Sequence, residues 1–348
     1  MPDRRSPGLS CLRLHLEFIM GGFDYLRLIA ATLVVAHHAR VLDGRPPIMI
    51  GPSLDLGALG VGLFFAISGY LVTGSLKQTP RVGTFVAKRA LRIFPGLLAA
   101  LLVTAFIIGP MSTTLSTSAY LADPDVYGYM LKNLTLYAVA YDLPGVFLTV
   151  PVAGVVNGSL WTLRLEFTAY LALAALGAAR QATPRTLTVL ALVAAAGSTV
   201  VHVAGLDARD DLFRIAYLAG VNGFLFLSGA ALKASGRQPP LWLAGAAVIL
   251  LATPVWFLGL PLIVLRLGAV DTPRLPVDLS YGLYIYSFPL QQMLAERSQL
   301  SLAKSLALTL PFALASWLLV EKPALRLKAR LPRAPAKPIL SPAAAAVD

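Results

Sequence analysis

Few residues in this chain combine an ionisable side chain with an apolar neighbourhood, and those few have spacings that suit proton transfer. In the apolar run from about Phe23 to Leu42, Arg27, His37 and His38 stand among aliphatic residues. Arg27 and His38 are eleven residues apart, so at ~100° per residue they return to within roughly 20° of one helix face. At ~1.5 Å per residue, His38 lies about 16 Å further along the axis. His37 points about a quarter turn away and reads as a packing or rim residue. A second apolar run carries Arg164 and Glu166, with Tyr170 one turn on from Glu166 and on its face. If this run enters from the opposite end to Arg27, Glu166 comes to about the depth of His38. A carboxylate there could fix the imidazole tautomer and leave the other ring nitrogen to take a hydroxyl proton. The competing reading pairs Glu166 with Arg164 or another arginine only to make burial tolerable.

Lys88, Arg89 and Arg92 follow on a helical pattern, "FVAKRALRIFPG", with Arg89 and Arg92 on adjacent turns. Guanidinium pairs of this kind hold phosphate oxygens, and equally set topology or bind anionic lipid. Ser68 and Gly69 fall in "GALGVGLFFAISGYLVTGSL", whose small residues let helices approach closely and could line a substrate path.

The elements that position these residues must be membrane helices. The chain has 348 residues, 57% hydrophobic and 13% charged, with a mean hydropathy of +0.72, far from soluble composition. An all-α polytopic fold of about ten transmembrane helices is expected. Its spans fall near 24–42, 57–76, 94–112, 159–178, 186–205, 212–232, 241–254, 256–270, 279–295 and 303–320. Pro254 and Pro261 divide the seventh from the eighth. The net charge of +12 has no aromatic-interleaved basic stripe, so nucleic acid is not expected as a partner. The charge instead sorts by loop: Lys77, Arg81, Arg180, Arg185, Lys233, Arg237 and Arg274 to one side, and Asp43, Asp55, Asp123, Asp125, Asp142, Asp207, Asp210 and Asp211 to the other. The positive-inside rule then puts both termini in the cytoplasm. Residues 1–22 read as a cytoplasmic leader, 23–330 as the membrane domain and 331–348 as a disordered tail. The single cysteine, Cys11, excludes a disulfide framework or a cysteine metal site, and no metal or tightly bound cofactor is expected.

Six stretches resemble acyltransferase family 3, the bacterial multi-pass acyltransferases that modify cell-surface glycans. They are "FDYLRLIAATLVVAHHA", "GALGVGLFFAISGYLVTGSL", "FVAKRALRIFPG", "NGSLWTLRLEFTAYL", "DLSYGLYIYSFPLQQ" and "VEKPALR". The family's arginine, ten residues, histidine motif falls on Arg27 and His38, its paired arginines on Arg89 and Arg92, and its tryptophan and glutamate on Trp161 and Glu166. Where members often carry Pro-Tyr before that glutamate, this chain has Arg164-Leu165. The resemblance implies an inner-membrane enzyme that takes an acyl, typically acetyl, group from acyl-CoA as co-substrate. Its acceptor is a hydroxyl of a surface glycan or small glycoside. His38, Glu166 and Arg27 would be catalytic, with Lys88, Arg89 and Arg92 on the donor and Ser68, Tyr170, Trp161 and Tyr281 along the substrate path. His38 would be general base or nucleophile. The rival is a proton-coupled transporter or flippase in which the intramembrane His and Glu relay protons.

Overall fold

A computed structural model describes residues 21–79 and 81–332. The leader expected at 1–22 and the tail expected at 331–348 lie almost wholly outside them. The helices are α1 (Gly22–Val41), α2 (Leu56–Lys77), α3 (Val82–Ser112), α4 (Thr117–Ala122), α5 (Pro124–Leu134), α6 (Trp161–Ala178), α7 (Pro184–Val203), α8 (Asp211–Ser235), α9 (Leu241–Ala252), α10 (Leu260–Gly268), α11 (Ser280–Glu296) and α12 (Leu302–Arg330). Wide π turns at Thr104–Ile108 and Trp317–Glu321 interrupt α3 and α12. The all-α expectation is departed from at a small hairpin of β1 (Met49–Gly51) and β2 (Leu54–Asp55) between α1 and α2.

Polar caps mark where apolar helices begin, because the first N–H groups have no partner within the helix. Asp55 accepts from Ala58 N–H at 2.8 Å to start α2, Asp210 accepts from Leu212 N–H at 2.7 Å to start α8, and Ser301 accepts from Lys304 N–H at 3.2 Å to start α12.

Among the described residues, five helices, α2, α3, α7, α8 and α12, are long and apolar enough to cross a membrane, against the ten expected. Helices α1 and α6 overlap expected spans, but the histidines, arginines, Asp24 and Glu166 that they carry lower their hydropathy. Helix α11 has only 17 residues. The 241–270 block does split, turning at Thr253–Val255 between two short helices. On α7, Val193 and Val200 remain 64% and 65% exposed, an apolar face fit for lipid rather than water.

Helix α2 is the hub, packed against α1 on one side and α8 on the other, while α1 also meets α11. Its glycines make this possible. A Cβ on Gly60 would fall 2.6 Å from the Ala30 carbonyl oxygen, and one on Gly69 would overlap the Phe226 carbonyl. The 135–157 segment is irregular and buries Leu143, Val146, Phe147 and Val156 against α3 and α5.

Candidate functional site

Helix α1 presents Arg27 and His38 at different depths, as their spacing requires. Arg27 Nη1 is 2.9 Å from Asp278 Oδ2, and Arg92 Nη2 on α3 is 2.7 Å from the same oxygen. The other Asp278 oxygen accepts from the Ser280 hydroxyl at 2.6 Å, at the start of α11. Arg92 also faces Glu321 Oε2 on α12 at 3.8 Å, and Glu321 accepts from Ser316 at 2.9 Å. One carboxylate therefore ties α1, α3 and α11 together, and Arg92 extends the network to α12. Burial alone would raise the pKa of Asp278, but the two guanidiniums and the Ser280 hydroxyl hold it well below the usual carboxylate range.

Asp278 and Glu321 were not singled out by the sequence reading. The signal was available: they are rare acids in otherwise basic segments, and buried arginines need carboxylate partners.

Arg89 is placed differently. Its Nη2 donates to Ser75 Oγ at 3.2 Å and its guanidinium lies 5.8 Å and 5.9 Å from the Phe85 and Tyr170 rings. Its Nε is buried with no hydrogen-bond acceptor among the described residues. Lys88 Nζ donates to Thr79 Oγ1 at 3.2 Å and to the Pro332 carbonyl at 3.0 Å. These cations line a cavity of about 450 Å³ with Ser75, Glu166, Tyr170 and, from the end of α12, Lys328. Lys328 is not among the residues that sequence alone marked for the site.

Glu166 does not pair with His38. Its Oε1 accepts from Ser68 at 3.0 Å and from the Tyr170 hydroxyl, so it stands beside the basic cavity. Among the described residues it makes no ion pair with Arg164 or another arginine. The chain makes a short 3₁₀ turn at Gly158–Leu160 before α6 begins at Trp161. Glu166 lies five residues, about 7 Å, into that helix, and α2 supplies the Ser68 that claims its oxygen. The hydrogen bond expected from Tyr170 is present.

His38 lies instead in a second cavity, of about 300 Å³, lined also by His37, Asp55, Ser159, Trp161 and Tyr284. Its ring stands edge-on to Phe288, with centroids 5.0 Å apart, and its Nδ1 is buried without a hydrogen-bond partner among the described residues. His37 is 3.3 Å from Asp55 Oδ1, and Gly57 leaves room for its ring. It occupies the side of the cavity rather than the Arg27 line.

A constriction of about 50 Å³ lies between the two cavities. It shares Arg27, Ser68, Arg92 and Glu166 with the basic one and Val61 and Tyr284 with the histidine one. Tyr281 lines this constriction and donates its hydroxyl to the Ile93 carbonyl at 2.8 Å. Every expected site residue thus faces one of three adjoining spaces. Trp161 and His38 share the histidine cavity, whereas Lys88, Arg89 and Tyr170 face the basic one.

Such an arrangement sets a basic chamber on one side and a histidine-lined one on the other of a small space that shares lining residues with both. Residues 20–288 match the acyltransferase-domain family. Relatives include an O-acetyl transferase of Shigella phage Sf6, 27% identical over 86% of this chain and 94% of its own. Another is nodulation protein 10 of Rhizobium leguminosarum bv. viciae, 28% identical over 89% of this chain and 94% of its own. No solved structure matches the chain. With most of its length matched and the motif arginines and histidine gathered around adjoining cavities, the chain belongs to this acyltransferase family, which decides for an enzyme over a transporter.

Proposed function

We propose that this protein is an inner-membrane O-acyltransferase that moves an acetyl or similar short acyl group from acyl-CoA to a hydroxyl of a surface glycan or small glycoside. The basic cavity faces the cytoplasm and takes the phosphates of coenzyme A on Arg89, Lys88 and Lys328. The pantetheine arm runs through the constriction past Ser68 and Glu166, and brings the thioester to His38. The acceptor enters the histidine cavity from the other face of the membrane, with Trp161 and Tyr284 as its walls. His38 removes the hydroxyl proton as the oxygen attacks the thioester carbonyl, or itself carries the acyl group between the two. Coenzyme A thiol is released on the cytoplasmic side.

The observation that supports this reading is the set of three adjoining cavities, basic at one end and lined by His38 at the other. The two-sided layout also follows the distribution of basic and acidic loops. The O-acetyl transferase among the relatives supports acetyl as the group moved.

The test incubates purified protein in nanodiscs with radiolabelled acetyl-CoA and candidate glycans or glycosides. Label on an acceptor hydroxyl, lost in His38→Ala, is expected. Transfer that survives without His38 would overturn the assignment of the imidazole.

A further inference from the structure

The turn between β1 and β2 places Ser53 on the wall of the histidine cavity. Behind it, Ser53 Oγ lies 3.2 Å from His202 Nε2, a contact between residues 149 apart in the chain. The other ring nitrogen, His202 Nδ1, lies 2.8 Å from Asp207 Oδ2. His202 closes the last turn of α7 and Asp207 sits in the loop beyond it, so the carboxylate reaches back over one turn. The His202 ring stacks on Tyr217, which also lines the cavity, with centroids 5.1 Å apart.

The order is hydroxyl, imidazole and carboxylate, on a serine that lines the cavity, with His202 and Asp207 outside its lining. That is the order in which an acid orients an imidazole and the imidazole activates a serine. A hydrogen-bonded tie between hairpin and helix would need only two of the three groups, and would not need its serine on the wall of a cavity.

We propose that Ser53, His202 and Asp207 form a serine-nucleophile triad that hydrolyses short-chain O-acyl esters entering the histidine cavity. Ser53 Oγ bonds to the acyl carbon while the ester C–O bond breaks. His202 Nε2 takes the serine proton and passes it to the leaving alkoxide. Water then attacks the acyl-serine and gives a proton to His202. The Oγ–acyl bond breaks, Ser53 recovers its proton and a carboxylic acid departs. Asp207 holds the imidazole tautomer throughout. The proposal rests on neither the coenzyme A donor nor the role of His38.

The test uses the whole protein in detergent, a fluorophosphonate probe and p-nitrophenyl acetate, with the adduct located by peptide mass spectrometry. Probe on Ser53 is expected in the native protein and in His38→Ala and Ser159→Ala, the latter removing another serine of the same cavity. Ser53→Ala should abolish the adduct. His202→Gln and Asp207→Asn should slow labelling and ester hydrolysis about 100-fold or more, the scale of a lost general base. Asp207→Asn keeps hydroxyl and ring in place and decides the matter if His202→Gln fails to fold by size exclusion. No adduct on Ser53, or labelling unchanged in Asp207→Asn, would reduce the three residues to a structural tie.

Discussion

Replacing Asp278 by Asn removes one negative charge from between two guanidiniums while keeping the shape of the side chain. Arg27 and Arg92 approach the same oxygen at 2.9 Å and 2.7 Å, and each charge-assisted bond contributes about 1.5–3 kcal/mol. Their sum, about 3–6 kcal/mol, is an upper bound. Asparagine still offers an oxygen, and Glu321, 3.8 Å from Arg92, compensates part of the freed charge. A loss of about 2–4 kcal/mol is therefore expected, at the lower side of the range for breaking a buried pair. That corresponds to roughly a 30- to 1,000-fold shift in the unfolding equilibrium. The assay is equilibrium unfolding in mixed micelles, run with Arg27→Gln and the double variant as a cycle. In the Arg27→Gln background, Asp278→Asn should cost at least about 1 kcal/mol less. The pH dependence follows from a folded pKa held below the unfolded value of about 3.9. The contribution is fully present above the unfolded value and is lost as pH falls through the depressed folded one. The gap between wild type and variant should accordingly be flat from about pH 8 to pH 5 and close only in stronger acid. An Asp278→Asn protein within about 0.5 kcal/mol of wild type, or purely additive variants, would refute the claim that this carboxylate joins the helices.

Arg89→Ala should raise the acyl-CoA KM about tenfold or more with little change in stability, since among the described residues it makes no ion pair with a carboxylate and it lines the basic cavity. Arg92→Ala should chiefly lower stability, because it strands Glu321, and saturation kinetics beside unfolding curves would separate the two. Lys328→Ala should raise the same KM severalfold while Lys233→Ala does not, which competition binding with coenzyme A itself would check. His37→Ala should retain most transfer activity under conditions where His38→Ala retains almost none, measured as acceptor labelling at matched expression. Gly69→Ala should fold poorly, since its Cβ would overlap the Phe226 carbonyl of α8; a normal size-exclusion profile would show that the two helices can separate at low cost.

Some of this was legible in residue order because it depends on one helix at a time. The eleven-residue step from Arg27 to His38 fixes a common face and two depths on α1 whatever surrounds it. The four-residue step from Glu166 to Tyr170 likewise fixes their hydrogen bond. Hydropathy marked the apolar segments, and the prolines marked the break in the 241–270 block. The number of spans was not legible in the same way, since the ionisable residues on α1 and α6 also weaken their hydropathy.

What joins different helices was decided by the tertiary structure. Depth matched Glu166 to His38, but depth says nothing of azimuth, and α2 places Ser68 against the carboxylate instead. Asp278, 251 residues from Arg27, becomes its partner only because α1 and α11 pack side by side. The same holds for Ser53 and His202, which a hairpin and a helix end bring within 3.2 Å. Local periodicity fixes which residues share a face of one helix. Packing of side chains between helices fixes which faces meet, and no spacing along the chain encodes that choice.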